Sequence, residues 1–189
     1  MTGWIALGIL IFVLAYGVLL YNGLVNLKHG VARAWANIDV VLRQRHEELP
    51  KLVEVCRQYQ QFEQATLERV ISARAGVASA REQHDIPALG SAENSLRASL
   101  GQLFAVAEAY PALRASEHFR QLQGRISGLE NSIADRRELY NEAVNLNNVR
   151  VEQLPDLLIA RLCGFGLQPL LEFAATEKAD VNIAQLFKG

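Results

Sequence analysis

The sequence predicts an all-α protein: a single N-terminal transmembrane helix running into an antiparallel up-and-down bundle of long helices, with a short C-terminal helix. Three observations predict it. The stretch "WIALGILIFVLAYGVLLY", Trp4 to Tyr21, carries no charge. Downstream, apolar residues recur at alternating steps of three and four, the mark of a helix packed lengthwise on its neighbours. No segment alternates apolar with polar residues as a half-buried strand does, and none carries hairpin turn pairs.

The uncharged stretch comes first. An apolar helix of roughly 18 residues spans about 27 Å, close to the hydrocarbon thickness of a bilayer. Trp4 and Tyr21 bracket it as interfacial aromatics do, and Lys28 is the first charged side chain beyond it. It lacks the basic n-region of a signal peptide and is longer than a usual h-region, which favours an anchor. Positive charge follows on the far side, at Lys28, Arg33, Arg43 and Arg45. The positive-inside rule then places the N-terminus out and the body in the cytoplasm.

The next helix runs through "VARAWANIDVVLRQRHEELPKLVEVCRQY". Its seam is Val31, Trp35, Ile38, Leu42, Arg45, Leu49, Leu52, Cys56 and Tyr59, and its phase does not reset at Pro50. That predicts one helix with a kink near His46 to Pro50 rather than two, because proline removes a hydrogen bond to the His46 carbonyl without ending the pattern. The same rod is expected to continue through Phe62, Leu67, Val70 and Ile71 into "SARAGVASAREQHDIP". Asp85 and Pro87 mark a turn. A second helix starts near Ala88, with Leu89, Leu96, Leu100, Leu103 and Ala107 on one face, and stops at Tyr110-Pro111. "PALRAS" connects to a third helix capped by Ser116, with Phe119, Leu122, Ile126, Leu129, Ile133 and Tyr140 on its seam. Asn147 and Arg150 continue that seam as polar members that set register through hydrogen bonds. The short helix "DLLIARLC" follows Pro155 and ends at Gly164.

Composition narrows the function. The 189-residue chain has a formal net charge of -1, which argues against a general nucleic-acid binder. Cys56 and Cys163 lie far apart, belong to no CxxC, and read as two buried core residues in a reduced compartment. No cofactor and no metal are expected. No Glu is followed three residues on by His, as a di-metal bundle requires, and "HEELP" replaces the second ligand of HExxH by Pro50. "GRISG" has the wrong spacing for a nucleophile elbow and sits mid-helix. Asp39, Arg43 and Glu47 stand at i,i+4 and suit a solvated charged stripe. The sharper alternative is that Asp39, Arg43 and Arg45 cross-link neighbouring helices or subunits.

Several stretches together resemble one family. "YNGLVNLKHGVARAWANIDVVLRQRHEELPKLVE" with "FEQATLERVISARA", then "AVAEAYPALRASEHFRQLQGRISGLENSIADRRELYNEAVNLNN", then "CGFGLQPLLEF", are similar in this order to the LemA family. The likeness covers nearly the whole chain. It implies a small single-pass bacterial membrane protein with an antiparallel helical bundle, no established enzymatic activity and no assigned catalytic residues. Relatives are often encoded beside other membrane proteins, which implies work in membrane complexes or envelope maintenance. "NLNN" at Asn145 to Asn148 departs from the family pattern, where a tyrosine often precedes the last asparagine, and "LPDLLIARLCGFG" is richer in leucine than most.

These readings divide the chain into an anchor (1–27), a helical bundle (28–163) and a C-terminal tail (164–189). Trp4, Tyr21 and Lys28 mark the membrane interface. Trp35, Ile38, Leu42, Leu49 and Leu52 form the packing or oligomer seam. Phe165, Leu170 and Phe173 in the tail are candidates for holding a partner. The expected function is a non-enzymatic scaffold in the bacterial inner membrane that self-associates as a homo-oligomer. The alternative is an adaptor that recruits a membrane-protein partner through its aromatic tail.

Overall fold

The computed structural model describes residues 1–59 and 62–172. Those residues form six helices and no strand: α1 Thr2–Arg57, α2 Gln64–Glu82, α3 Ile86–Ala107, α4 Pro111–Ala115, α5 Glu117–Glu152 and α6 Asp156–Cys163. The all-α class expected from the heptad seams is the class observed.

Helix α1 is unbroken through Pro50. A proline inside a helix leaves the carbonyl four residues back without its usual donor. Here Arg74 of α2 supplies one, its Nε donating to the His46 carbonyl at 3.0 Å. The rod does not continue into residues 62–84, however. α1 stops at Arg57, and the backbone turns through Tyr59 N–H to Cys56 O and Phe62 N–H to Tyr59 O. The cause is visible in the spacing: the seam steps five residues from Phe62 to Leu67. A step of five falls outside the three- and four-residue spacings that keep side chains on one helix face.

Local chemistry sets the other ends. Asp85 caps α3 by accepting from the Ala88 N–H at 3.0 Å, so α3 starts at Ile86, two residues earlier than the spacing suggested. His84 before it takes a left-handed turn (φ 54°) that closes the α2–α3 connection. Ser116 accepts from the Phe119 N–H at 3.4 Å at the head of α5. "PALRAS" is more than a connection, since Pro111–Ala115 winds into one helical turn. Gly164 ends α6 at φ 73°, with the Phe165 N–H on the Ala160 carbonyl at 2.9 Å.

The chain divides into two compact units. Unit 1 comprises residues 1–41 and 132–170, and unit 2 comprises 42–131 with Leu171 and Glu172. In unit 1, α1 and α5 run antiparallel: Arg150 lies beside Gly23, Tyr140 against Trp35, and Arg136 donates to the Asn37 carbonyl at 2.7 Å. Leu24, Val151 and Ala160 form a buried cluster there, with Ile159 and Phe165 packed on it. In unit 2, α2 and α3 pack side by side, and Phe104 of α3 meets Phe119 of α5 edge to face. Phe62 and Tyr110 pack at 5.2 Å, and the Tyr59 hydroxyl donates to the Ala112 carbonyl at 3.3 Å.

Candidate functional site

The most concentrated electrostatics lie inside unit 2. Arg45 takes a seam position on α1, so its side chain is carried inward and is 1 % exposed. Its two terminal nitrogens divide between Glu93 of α3 and Glu130 of α5, both in hydrogen-bond contact. Arg97 Nε lies 3.5 Å from the other oxygen of Glu130. One guanidinium thereby pins three helices.

Burial alone would lower the Arg45 pKa, but the charges of Glu93 and Glu130 and their hydrogen bonds outweigh it and hold it above its ordinary value. Burial pushes Glu93 up, and the opposing charge and hydrogen bond of Arg45 do not cancel that. An arginine held charged favours an ionised Glu93, whereas a raised Glu93 opposes it. Guanidinium does not give up its proton in a protein, so any adjustment falls on Glu93. Such a node fixes helix register and has no nucleophile to activate.

A second polar contact sits one residue along. His46 Nε2 is 2.6 Å from Arg74 Nη2. An arginine nitrogen only donates, so this ring nitrogen accepts and the imidazole is neutral. Burial lowers the His46 pKa, and Arg74 and Arg81 lower it further. Also on α1, Glu48 Oε2 lies 2.8 Å from Arg125 Nη2 of α5, an ion pair by distance without hydrogen-bond alignment.

In unit 1 the segment after α6 returns along α5. Asn147 and Asn148 donate to the carbonyls of Gly166 and Gln168, at 3.3 and 2.9 Å. The Gln168 N–H donates back to Asn148 Oδ1 at 2.8 Å, and the Tyr140 hydroxyl reaches the Pro169 carbonyl at 3.1 Å. Arg150 completes the polar run by holding Asp156 at 2.7 Å. In unit 2, Leu171 is buried, and a Cβ added at Gly90 would overlap the Glu172 carbonyl oxygen.

The residues singled out in the sequence fall as follows. Trp4, Tyr21 and Lys28 are exposed, and no residue of the most apolar 18-residue window of α1 is buried. Ile38, Leu42, Leu49 and Leu52 are buried within a single chain, and Trp35 is half-buried edge-on to Tyr140. Asp39 is half-buried and Arg43 exposed, while Arg45 alone of those three is buried. Phe165 is half-buried with its ring edge-on to Tyr21 at 5.7 Å, Leu170 is exposed, and Phe173 lies outside the described residues. Cys56 is buried, its thiol pushed up to about 12 by burial. Cys163 corrects the expectation of two buried cysteines: it is the last residue of α6 and is exposed. Glu93 and Glu130 escaped the sequence reading. Their signal was there, since Glu93 fills the gap between Leu89 and Leu96, and Glu130 stands four residues from Ile126 and three from Ile133. Among the described residues, no group of three or more His, Cys, Asp and Glu is placed to hold a metal.

The LemA family model matches residues 34–184, most of the chain. The chain belongs to the LemA family. Magnetosome protein MamQ 2 of Paramagnetospirillum magneticum is 28 % identical to it over 101 residues, 53 % of this chain and 37 % of that protein. Magnetosome protein MamQ of Magnetospirillum gryphiswaldense is 28 % identical over 78 residues, 41 % of this chain and 29 % of that protein. The LemA-family chain thus spans little more than a third of the length of these relatives at most. Among the described residues one helix, α1 at the N-terminus, is long and apolar enough to cross a bilayer, which fits a membrane-associated protein.

Proposed function

We propose that this LemA-family chain is a non-enzymatic helical scaffold that self-associates while anchored in the bacterial inner membrane by residues 1–27. The basic residues after the span, Lys28 and Arg33, support an N-terminus outside and a body in the cytoplasm. The observation that carries the reading is a second apolar face on α5. Tyr140, Val144, Asn147 and Val151 of α5 are buried. Leu139, Leu146 and Val149 point the other way and are 59, 52 and 40 % exposed. Their spacing, seven then three, is that of a helix–helix seam whose remaining position is taken by the exposed Glu142. A helix packed on one side needs only one such face. Anchored copies stand in one plane, so the stripes of two parallel copies meet at equal height and can pair as a self-complementary patch.

Mass photometry of the full chain in nanodiscs and mild detergent tests this. A discrete multimer is expected, falling to monomer mass when Leu139, Leu146 and Val149 are replaced by serine with helix content unchanged. A wild-type monomer at working concentration overturns the reading and shifts weight to the adaptor alternative. That alternative rests on Leu167 and Leu170, which are 57 and 41 % exposed in the tail segment, since Phe165 is already engaged by Tyr21.

A further inference from the structure

The antiparallel register of unit 1 brings the end of α5 to the point where the apolar span ends. Arg150 lies beside Gly23, so Glu152, the last residue of α5, stands level with Tyr21. Helix α6 stays at that level: Ala160 packs with Leu24 and Val151, and Phe165 meets the Tyr21 ring. α6 turns Asp156 and Ala160 inward, four residues apart. Leu158 and Leu162, also four apart, face outward and are 63 and 83 % exposed, and Leu154, in the turn that precedes α6, is 73 % exposed. Three leucines this close together, largely uncovered, are out of keeping with a surface that meets only water.

We infer that α6 is a second membrane contact, its leucine face lying on the lipid surface beside the point where α1 leaves the bilayer. The occupant is lipid because the surface is continuous with the anchor. A spanning α1 holds Tyr21 and Leu24 at headgroup height, which puts α6, packed directly on Leu24, within about one helix diameter of the acyl boundary. An interfacial helix buries its apolar face to about that depth while its polar face stays wet. Exposed charge at this level is more basic than acidic, with Glu152 against Lys28 and Arg161, which suits anionic headgroups. Lys28 and His29 line a cavity of about 400 Å³ with Tyr21, Asn147, Phe165 and Gln168, and Arg161 of α6 is exposed. The acid of α6, Asp156, is buried and neutralised by Arg150, so it does not face the lipid. With α6 seated, the bundle is held to the bilayer at two points and its tilt is restricted.

The inference rests on α1 spanning the membrane, and one experiment separates the two. Cys163 takes a nitroxide selectively, because it is exposed while Cys56 is buried. A second label at Phe12→Cys, in a Cys163→Ser background, reports the anchor. The full chain is reconstituted in nanodiscs of phosphatidylcholine and phosphatidylglycerol, and relaxation by oxygen and by a water-soluble nickel chelate is compared. Both labels should favour oxygen, Phe12 deeply and Cys163 at headgroup depth. Replacing Leu154, Leu158 and Leu162 by serine should raise the nickel accessibility of the Cys163 label several-fold and leave Phe12 unchanged. A wild-type Cys163 label in water with Phe12 in lipid overturns the α6 contact and keeps the anchor. A Phe12 label in water overturns both. A Cys163 label shielded from both reagents puts a protein on α6 and overturns the lipid contact.

Discussion

Replacing Arg45 by methionine keeps the length of the apolar stem and removes the charge that joins three helices. Two carboxylates then lose their partner, unequally. Glu130 is 19 % exposed and keeps Arg97 nearby, so it can turn toward solvent. Glu93 is 4 % exposed and cannot. The loss is therefore concentrated at Glu93 and should approach the roughly 3–5 kcal/mol that follows removal of one member of a buried ion pair. For a chain of this size that corresponds to a fall in Tm of roughly 6–20 °C.

The sign of the pH dependence distinguishes this from a packing defect. Without Arg45 the folded pKa of Glu93, already raised by burial, moves further above its unfolded value. A raised carboxyl contributes stability that is full below the unfolded pKa and lost as pH rises through the folded pKa. Arg45→Met should thus melt well below wild type at pH 8 and recover much of the difference at pH 5. Combining it with Glu93→Leu should recover most of the loss at both pH values, since an apolar replacement of a buried pair is often neutral or better. Thermal melts of the full chain in detergent, followed by circular dichroism, supply the comparison. A loss under about 1 kcal/mol, or one equal at pH 5 and pH 8, would refute the argument, because a buried unpaired carboxylate should do neither.

Three further outcomes are expected. Pro50→Ala restores a helical N–H to the His46 carbonyl and should stabilise α1 by up to about 3 kcal/mol. Arg74→Met should cost about 1 kcal/mol in the wild-type chain, where it strands that carbonyl, and distinctly less beside Pro50→Ala. Additive effects in urea unfolding would show that Arg74 does not serve the carbonyl. His46 has a lowered pKa, so its contribution is present above the unfolded value near 6.5 and is lost as pH falls through the folded value, opposite in sign to Glu93. NMR titration should find His46 below the ordinary range, and Arg74→Met should raise it only in part, since burial is the larger cause and Arg81 remains. Gly90→Ala ought to gain from helix propensity, yet its Cβ would displace the Glu172 carbonyl. We expect a net loss of about 1–3 kcal/mol and faster amide exchange around Leu171, and a stabilised variant would show that the segment yields freely.

Features written within a few residues were legible in the sequence. Asp85, Ser116 and Gly164 act on backbone groups within four residues of themselves, so their types announce the helix ends. The seam of α1 was legible for the same reason, Pro50 included. The break after Arg57 was also written, as the five-residue step to Leu67, and was read through because the residues on either side are good helix formers. Long-range pairing left a weaker trace. Arg45 meets partners 48 and 85 residues away, and nothing in "SAENSL" or "GLENSI" marks a glutamate as buried except its place in a seam. The docking of residues 166–169 was least legible, because its acceptors are backbone carbonyls that every residue type carries. Asn147, Asn148 and Tyr140 showed as polar groups on a packing face, without showing what they hold.

The inward seam of α1 bears on self-association by elimination. Ile38 in unit 1 and Leu42, Leu49 and Leu52 in unit 2 are already buried within one chain. A partner reaching any of them would first have to open the core of its own unit, and in unit 2 that exposes Arg45 and its carboxylates as well. On α5 the inner face of unit 1 is likewise occupied, with Asn147, Asn148 and Tyr140 holding the returning backbone. An assembly formed by folded chains has to use what these contacts leave over, and on α5 that is Leu139, Leu146 and Val149. Substitutions in the inner seam should therefore lower stability and assembly together, whereas the outer stripe should lower assembly at unchanged Tm. If the outer stripe also governed Tm, the two faces would be one core and the case for a second copy on α5 would fall.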